Sequence, residues 1–349
     1  MAGTIPPARI LLLRPSALGD VCRTVPVLAS LRSAWPNAEI HWVVQQGFTP
    51  AVQAHPALTG VIPFPREAFR GCWRRPGRWG HLAAWFRSLR RGGWDLAIDC
   101  QGLARTGIML RVSGAAVRIA DRGAREGAWL AGTRRVRVPT QVHEVDRMLA
   151  LSEAAGAPTV ADPRLYVPPA DQHWWAAERG EAPYAVLATT SRWASKAWPD
   201  EHWAALGAEL MSRGHIGRIV LPGSPAERAR VAPIADAMRA KGLDVLDVAG
   251  RTSIGQLMAI LQGADLTVSN DSAALHMAVG LGRPFLGLFG PTDPAVVGPW
   301  RRPDAAIRAP LQPGERPSYR DRRLGDTIMR RLSVASVVER LEQMAAIPS

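Results

Sequence analysis

Residues 9–35 read RILLLRPSALGDVCRTVPVLASLRSAW. The apolar run 9–13 stops at Arg14-Pro15. A run that does not alternate with polar residues indicates a strand buried on both faces. Gly19 permits a tight turn, and Asp20 stands at or near the N-cap of a helix over about 21–35, with Leu28 and Leu31 among its apolar positions. Strand, polar loop and helix in that order form the first half of a βαβ unit, which implies a parallel sheet covered by helices.

The alternation continues outward from this stretch. Strands are expected at 40–44, 60–63, 95–99 and 117–120, and helices at 81–91 and 103–112. Residues 158–171 contain Pro158, Pro163, Pro168 and Pro169 and read as an interdomain linker. The pattern then restarts, with strands at 184–188, 218–221, 245–248, 266–268 and 285–289. Helices are expected at 200–212, 226–239, 272–281 and 333–344. This is an α/β chain of two Rossmann-like domains. Such sheets bind ligands at the carboxyl ends of their strands, and a cleft between two of them is the expected site.

A length of 349 residues accommodates two domains. With 47% hydrophobic and 21% charged residues, the composition excludes disorder, collagen and coiled coil as the main state. The formal net charge of +13 favours anionic partners: phosphorylated ligands, acidic lipid headgroups or nucleic acid. Between residues 64 and 137 there are sixteen arginines against five carboxylates, interleaved with Trp73, Trp79, Trp85, Trp94 and Trp129. The region reads either as a solvated basic face with core tryptophans or as a surface for phosphates and a membrane interface. Lysine occurs only at 196 and 241, so Lys196 stands out. Cys22, Cys72 and Cys100 form no CxxC pair, which argues against a disulfide scaffold or a zinc site and favours a reducing compartment. The apolar core 10–13 is too short for a signal peptide, and no 18-residue apolar run is present, so lipid contact is expected to be peripheral.

Four loop segments carry candidate chemistry. In residues 14–20, Asp20 reads as a helix cap or as a carboxylate at a strand's carboxyl end, suited to general-base work. In residues 188–199, ATTSRWASKAWP, the hydroxyls of Thr189 and Thr190 and the charge of Lys196 suit a diphosphate. In residues 269–276, SNDSAALH, the start of a helix offers N–H groups to an anion. There Asp271 caps the helix or accepts from sugar hydroxyls, and His276 is either packed or a ligand contact. Residues 290–294, GPTDP, give only a turn signal. Missing are GxxxxGK, GxGxxG after the first strand, HExxH, GxSxG and any Cys/His cluster, which withdraws support from P-loop, dinucleotide, zinc-protease and serine-hydrolase chemistry.

Taken in order, SALGDVCRTVPVL (16–28), WVVQQGF (42–48), DLAIDCQGL (95–103), SKAWPDEHW (195–203), NDSAALHMA (270–278) and LFGPTDP (288–294) resemble the ADP-heptose:lipopolysaccharide heptosyltransferase family. WVVQQGF, DCQGL and AREG (124–127) are closest to its heptosyltransferase I branch. The resemblance implies a GT-B fold, two Rossmann-like domains facing across a cleft. An acceptor-binding domain would occupy 1–160 and a nucleotide-sugar domain 172–325. A final helix within 326–349 would pack back on the first domain. The implied reaction is inverting, needs neither metal nor cofactor, and moves heptose from ADP-heptose to a Kdo sugar of an anionic, lipid A-type glycolipid. It would run in the cytoplasm at the inner face of the inner membrane, with no specific nucleic acid involved.

By the same resemblance Asp20 is the catalytic base and Lys196 the phosphate-binding lysine. Glu227 matches a ribose-binding glutamate, and Asp271, Ser272 and Ala273 match the turn that holds diphosphate and heptose. His276 matches the family histidine, and Thr189 and Thr190 complete the donor set. The acceptor set is Ser16, Gly19, Gln101, Arg105, Arg122 and Arg125. Ala273 stands where the family has glycine, which matters if the backbone there is left-handed. The alternatives are a transferase for another nucleotide sugar, a noncatalytic glycolipid-binding relative and a nucleic-acid binder.

Overall fold

The computed structural model describes residues 6–69, 71 and 76–346. The chain divides into two compact units, Met1–Tyr166 and Val167–Ser349. The division falls inside the proline-rich 158–171 segment. Pro169 there opens a helix, Pro169–Glu178, because its missing N–H is no loss at a first helical position.

In the first unit the strands are β1 (Arg9–Leu13), β2 (Glu39–Gln45), β3 (Gly60–Phe64), β4 (Leu96–Asp99), β5 (Val117–Asp121) and β6 (Arg134–Val136). They form one sheet in the order β3-β2-β1-β4-β5-β6, and every pair is parallel. The second unit carries β7 (Tyr184–Ala188), β8 (Arg218–Leu221), β9 (Val245–Asp247), β10 (Leu266–Asn270), β11 (Phe285–Phe289) and β12 (Ala306–Arg308). Its order, β12-β11-β10-β7-β8-β9, is again all parallel and repeats the doubly wound arrangement. Residues 10–13 of β1 and all of β7, β10 and β11 are buried, as expected for strands covered on both faces.

In each sheet one point reverses the winding. It lies between β1 and β4 in the first unit and between β7 and β10 in the second. The loops that leave these strands are where a ligand site belongs.

Two expectations change. The helix expected over 21–35 is two helices, Leu18–Arg23 and Val25–Ala34, joined at Thr24. Pro26 has no N–H to continue the ladder of the first. The tryptophans of the basic segment split between core and surface: Trp94 is buried while Trp79 is 56% exposed. Trp73 and Cys72 lie outside the described residues. The final helix, Val334–Gln343, contributes to the core of the second unit. Val337, Val338 and Leu341 join its core beside Trp203 and Leu210, and Trp198 Nε1 donates to the Leu332 carbonyl at 2.8 Å.

Candidate functional site

At the β1/β4 point of the first unit, a buried guanidinium organises the loop. Arg14 donates through Nη1 to the Cys100 carbonyl and through Nη2 to Asp20 Oδ2 at 3.0 Å. Arg23 pairs with Asp20 Oδ1. Asp20 is not the N-cap but the third residue of its helix, and its Oδ2 accepts the Ala17 N–H at 3.2 Å. Its side chain is 26% exposed, against 9% for Arg14 and 12% for Arg23. A carboxylate is thus fixed from three sides while still reaching solvent. The Ser16–Ala17 peptide is cis.

Ser16, Gln101 and Arg105 meet here. Gln101 Oε1 accepts the Ser16 N–H and Gln101 Nε2 reaches Ser16 Oγ, both at 3.3 Å; Arg105 Nη2 donates to Ser16 Oγ at 3.0 Å. Asp99, at the end of β4, shapes the next turn by accepting the Gln101 and Gly102 N–H groups on Oδ1 at 2.9 and 3.0 Å. Burial pushes its carboxyl above the usual range, against those two donors. Gly19 does not make the expected turn. It is a buried residue inside the helix and is absent from the left-handed glycines. Arg122 and Arg125 are exposed on the loop after β5, where their backbone N–H groups bond the carbonyls of Val136 and Gly102.

At the β7/β10 point of the second unit, Lys196 donates to Asp271 Oδ2 at 2.6 Å, and the two side chains are 14% and 8% exposed. Thr292 Oγ1 donates to the same oxygen at 2.8 Å. Burial opposes the charge on Asp271, but Lys196, His276 and Thr292 outweigh it and hold the carboxyl below its ordinary range. His276 Nε2 stands 4.0 Å from Asp271 Oδ1. Asn270, fully buried, accepts the Trp198 N–H at 3.1 Å and donates to the Thr189 carbonyl at 2.7 Å. It therefore staples the loop after β7 to the end of β10. Thr189 and Thr190 are buried in that loop, and Thr189 Oγ1 has no hydrogen-bond partner.

Ser272 is the N-cap of the helix Ala273–Leu281, and its Oγ lies 3.0 Å from Ser269 Oγ. Ala273 is the first helical residue and is not among the positive-φ positions, so alanine is accommodated there without strain. The unpaired N–H groups of this first turn open beside Asp271. Glu227 lies on the loop after β8, where its Oε2 accepts the Ser224 N–H at 2.8 Å, a capping role.

A clasp from the C-terminal segment holds the Lys196 turn. Ser195 Oγ donates to the Tyr319 carbonyl at 2.5 Å, and the Tyr319 ring lies 5.5 Å from Lys196 Nζ and 4.9 Å from the Trp193 ring. Gly325 packs so closely that an added Cβ would stand 2.5 Å from the Ser195 carbonyl oxygen. Arg331 anchors the segment by pairing with Glu315 at 2.7 Å.

Sequence reasoning missed Arg14, Arg23, Asn270, Thr292 and Tyr319. Thr292 sits in the GPTDP turn, where only its place after β11 hinted at a role. Among the described residues, no group of three or more His, Cys, Asp or Glu side chains is placed to hold a metal ion. Nor is any helix among them long and apolar enough to cross a membrane.

Comparison with known proteins bears on the family and the fold. Residues 82–324 match the model of glycosyltransferase family 9 (heptosyltransferase). The chain is 32% identical to lipopolysaccharide heptosyltransferase 1 of Pseudomonas aeruginosa, over 97% of this chain and 99% of that protein. It is 30% identical to lipopolysaccharide heptosyltransferase 1 of Escherichia coli K12, over 87% and 94% of the two chains. The E. coli heptosyltransferase WaaC solved with ADP superposes with a TM-score of 0.78 at 27% identity, covering 96% of this chain and 99% of that one. The expected α/β fold, of the GT-B type these structures share, is therefore the fold found. On this combined footing the chain is a glycosyltransferase and belongs to glycosyltransferase family 9, the heptosyltransferases.

Proposed function

We propose that the chain transfers heptose from ADP-heptose to a Kdo sugar of the lipopolysaccharide inner core, with inversion and without a metal ion, at the cytoplasmic face of the inner membrane. The relatives' names support the donor and the lipopolysaccharide part of this reading: lipopolysaccharide heptosyltransferases, and WaaC solved with ADP and with ADP-2-deoxy-2-fluoro heptose. The observation that carries the reading is Lys196, this chain's conspicuous lysine, held beside a helix start at the switch point of the second sheet.

Lys196 and the N–H groups at Ser272–Ala274 would bind the diphosphate and stabilise its charge as it departs. An ammonium carries three donors, so its bond to Asp271 leaves capacity for phosphate oxygens. Thr189 and Thr190 would border the same anion, and His276 and Glu227 would meet the sugar and ribose. Asp20, in the first unit, would take the acceptor hydroxyl proton as that oxygen bonds to the anomeric carbon and the bond to the diphosphate breaks. Arg14 and Arg23 hold its oxygens in register. Ser16, Gly19, Gln101 and Arg105 would line the acceptor side, and Arg122 and Arg125 would attract its negative groups.

Asp20→Ala tests the base. Transfer should fall by about 10²–10⁴-fold or more while ADP-heptose still binds. Full turnover by that variant removes Asp20 from the role. A thermal-shift series with ADP-, UDP- and GDP-sugars tests the donor, since a bound ligand raises apparent stability by mass action. The adenosine sugar should give the largest shift.

A further inference from the structure

The helix Ala104–Val112 and the turn Arg125–Ala131 enclose an open hollow of about 320 Å³. Gly107, Ile108, Ala128, Leu130 and Ala131 are among its apolar or small lining residues, and Arg111 and Glu126 are its charged ones. Helix and turn meet closely at Gly107, where an added Cβ would stand 2.9 Å from the Ala128 Cα. Ile108 is 53% and Leu130 62% exposed, unusual for large aliphatic side chains that line one depression. The Glu126 carboxylate is engaged: its Oε2 accepts the Ala104 N–H at 3.0 Å, at the helix start. The remaining charged group of the lining is a cation, Arg111.

The lining positions 104, 107, 108 and 111 form one stripe along the helix. That stripe begins one residue from Arg105, which bonds Ser16, and runs about 10 Å away from it. The turn that lines the hollow also opens at exposed Arg125, whose N–H bonds the Gly102 carbonyl next to Gln101, and exposed Arg122 lies on the same loop. An apolar trough with a cationic margin fits a hydrocarbon chain joined to an anionic head. A bare sugar phosphate would leave Ile108 and Leu130 unused, and a neutral apolar segment would leave the arginines unused.

We propose that this trough takes an acyl chain of the lipid that carries the acceptor sugar. The proposal rests on the acceptor reading given above. Its test uses the whole chain and two arms. In the first, dodecyl phosphate and butyl phosphate, below their aggregation concentrations, are titrated calorimetrically into the parent and into Ile108→Ser/Leu130→Ser. Both residues are exposed, so the pair should keep the parent's melting temperature and ADP affinity. The parent should bind the longer chain at least about ten-fold more tightly. The serine pair should lose most of that preference, and Arg111→Gln should weaken both ligands by a similar factor, about two- to five-fold. No dependence on chain length, or a preference untouched by the serine pair, overturns the proposal.

In the second arm, transfer is measured on acylated and deacylated acceptor glycolipid. The serine pair should raise KM for the acylated form alone. Equal KM values for the two forms in parent and variant overturn the trough and leave the transferase reading standing. Chain-dependent binding with no transfer to either form sinks the acceptor reading and retains the amphiphile site.

Discussion

Lys196 and Asp271 lie 75 residues apart in the chain and 2.6 Å apart in the fold. Each is nearly enclosed, so the pair is screened little by water and depends on its geometry. Lys196→Ala should weaken ADP binding by about 1.5–3 kcal/mol, the usual loss of one charged hydrogen bond. Unchanged calorimetric affinity would contradict a phosphate role for this lysine. Asp271 adds a pH signature. Its folded carboxyl titrates below its unfolded value, so the ionised pair contributes stability that is complete above about pH 3.9 and lost as pH falls through the lower folded value. Asp271→Asn should therefore be less stable than the parent at neutral pH, and the gap should narrow below about pH 3.9. Urea midpoints across acid pH decide the point; a constant gap counts against the ion pair as its cause.

At the scale of elements, the short turn Ala194–Lys196 has little structure of its own and borrows its shape from the clasp around Tyr319 and Gly325. Gly325→Ala places a methyl group against the Ser195 backbone. It should cost about 1–3 kcal/mol of stability and also lower ADP affinity, because the turn that carries the ammonium must shift. Gly80→Ala is the contrasting case. It lies in the helix Trp79–Arg90 with nothing within 4 Å of its added Cβ, so it should gain about 0.5–1 kcal/mol and leave ADP binding alone. Equal melting temperatures and equal ADP affinities for the two variants would refute the clasp.

Over the whole molecule, the charge is lopsided. Most of the +13 excess lies in residues 64–137, on the unit that carries Asp20. Exposed arginines act over a distance set by the Debye length, which shrinks from about 30 Å at 0.01 M salt to about 3 Å at 1 M. Raising salt over that range should lower kcat/KM for an anionic acceptor steeply, through slower encounter. ADP affinity should fall less, since Lys196 is only 14% exposed. Equal salt slopes for the two substrates would rule out acceptor steering by the basic segment.

Local pattern was enough for ten of the twelve strands and for the two-unit organisation, because most of the buried strands are largely apolar runs. The two strands it did not show, β6 and β12, are three-residue edge strands reading RRV and AIR, whose exposed margins admit arginine. The motif residues near strand ends were also visible, since Asp20, Lys196 and Asp271 follow apolar runs and lie at or shortly before helix starts. Their partners were not. Arg14 read only as the end of an apolar run, Arg23 carried no signal of its own, Thr292 was part of a turn, and Ala273 stood where a left-handed backbone would need glycine. Hydrophobic periodicity acts over a few residues and is written in the chain itself. Which loops stand side by side depends on strand order and on register between segments from 21 to 124 residues apart, and only the folded sheets determine that.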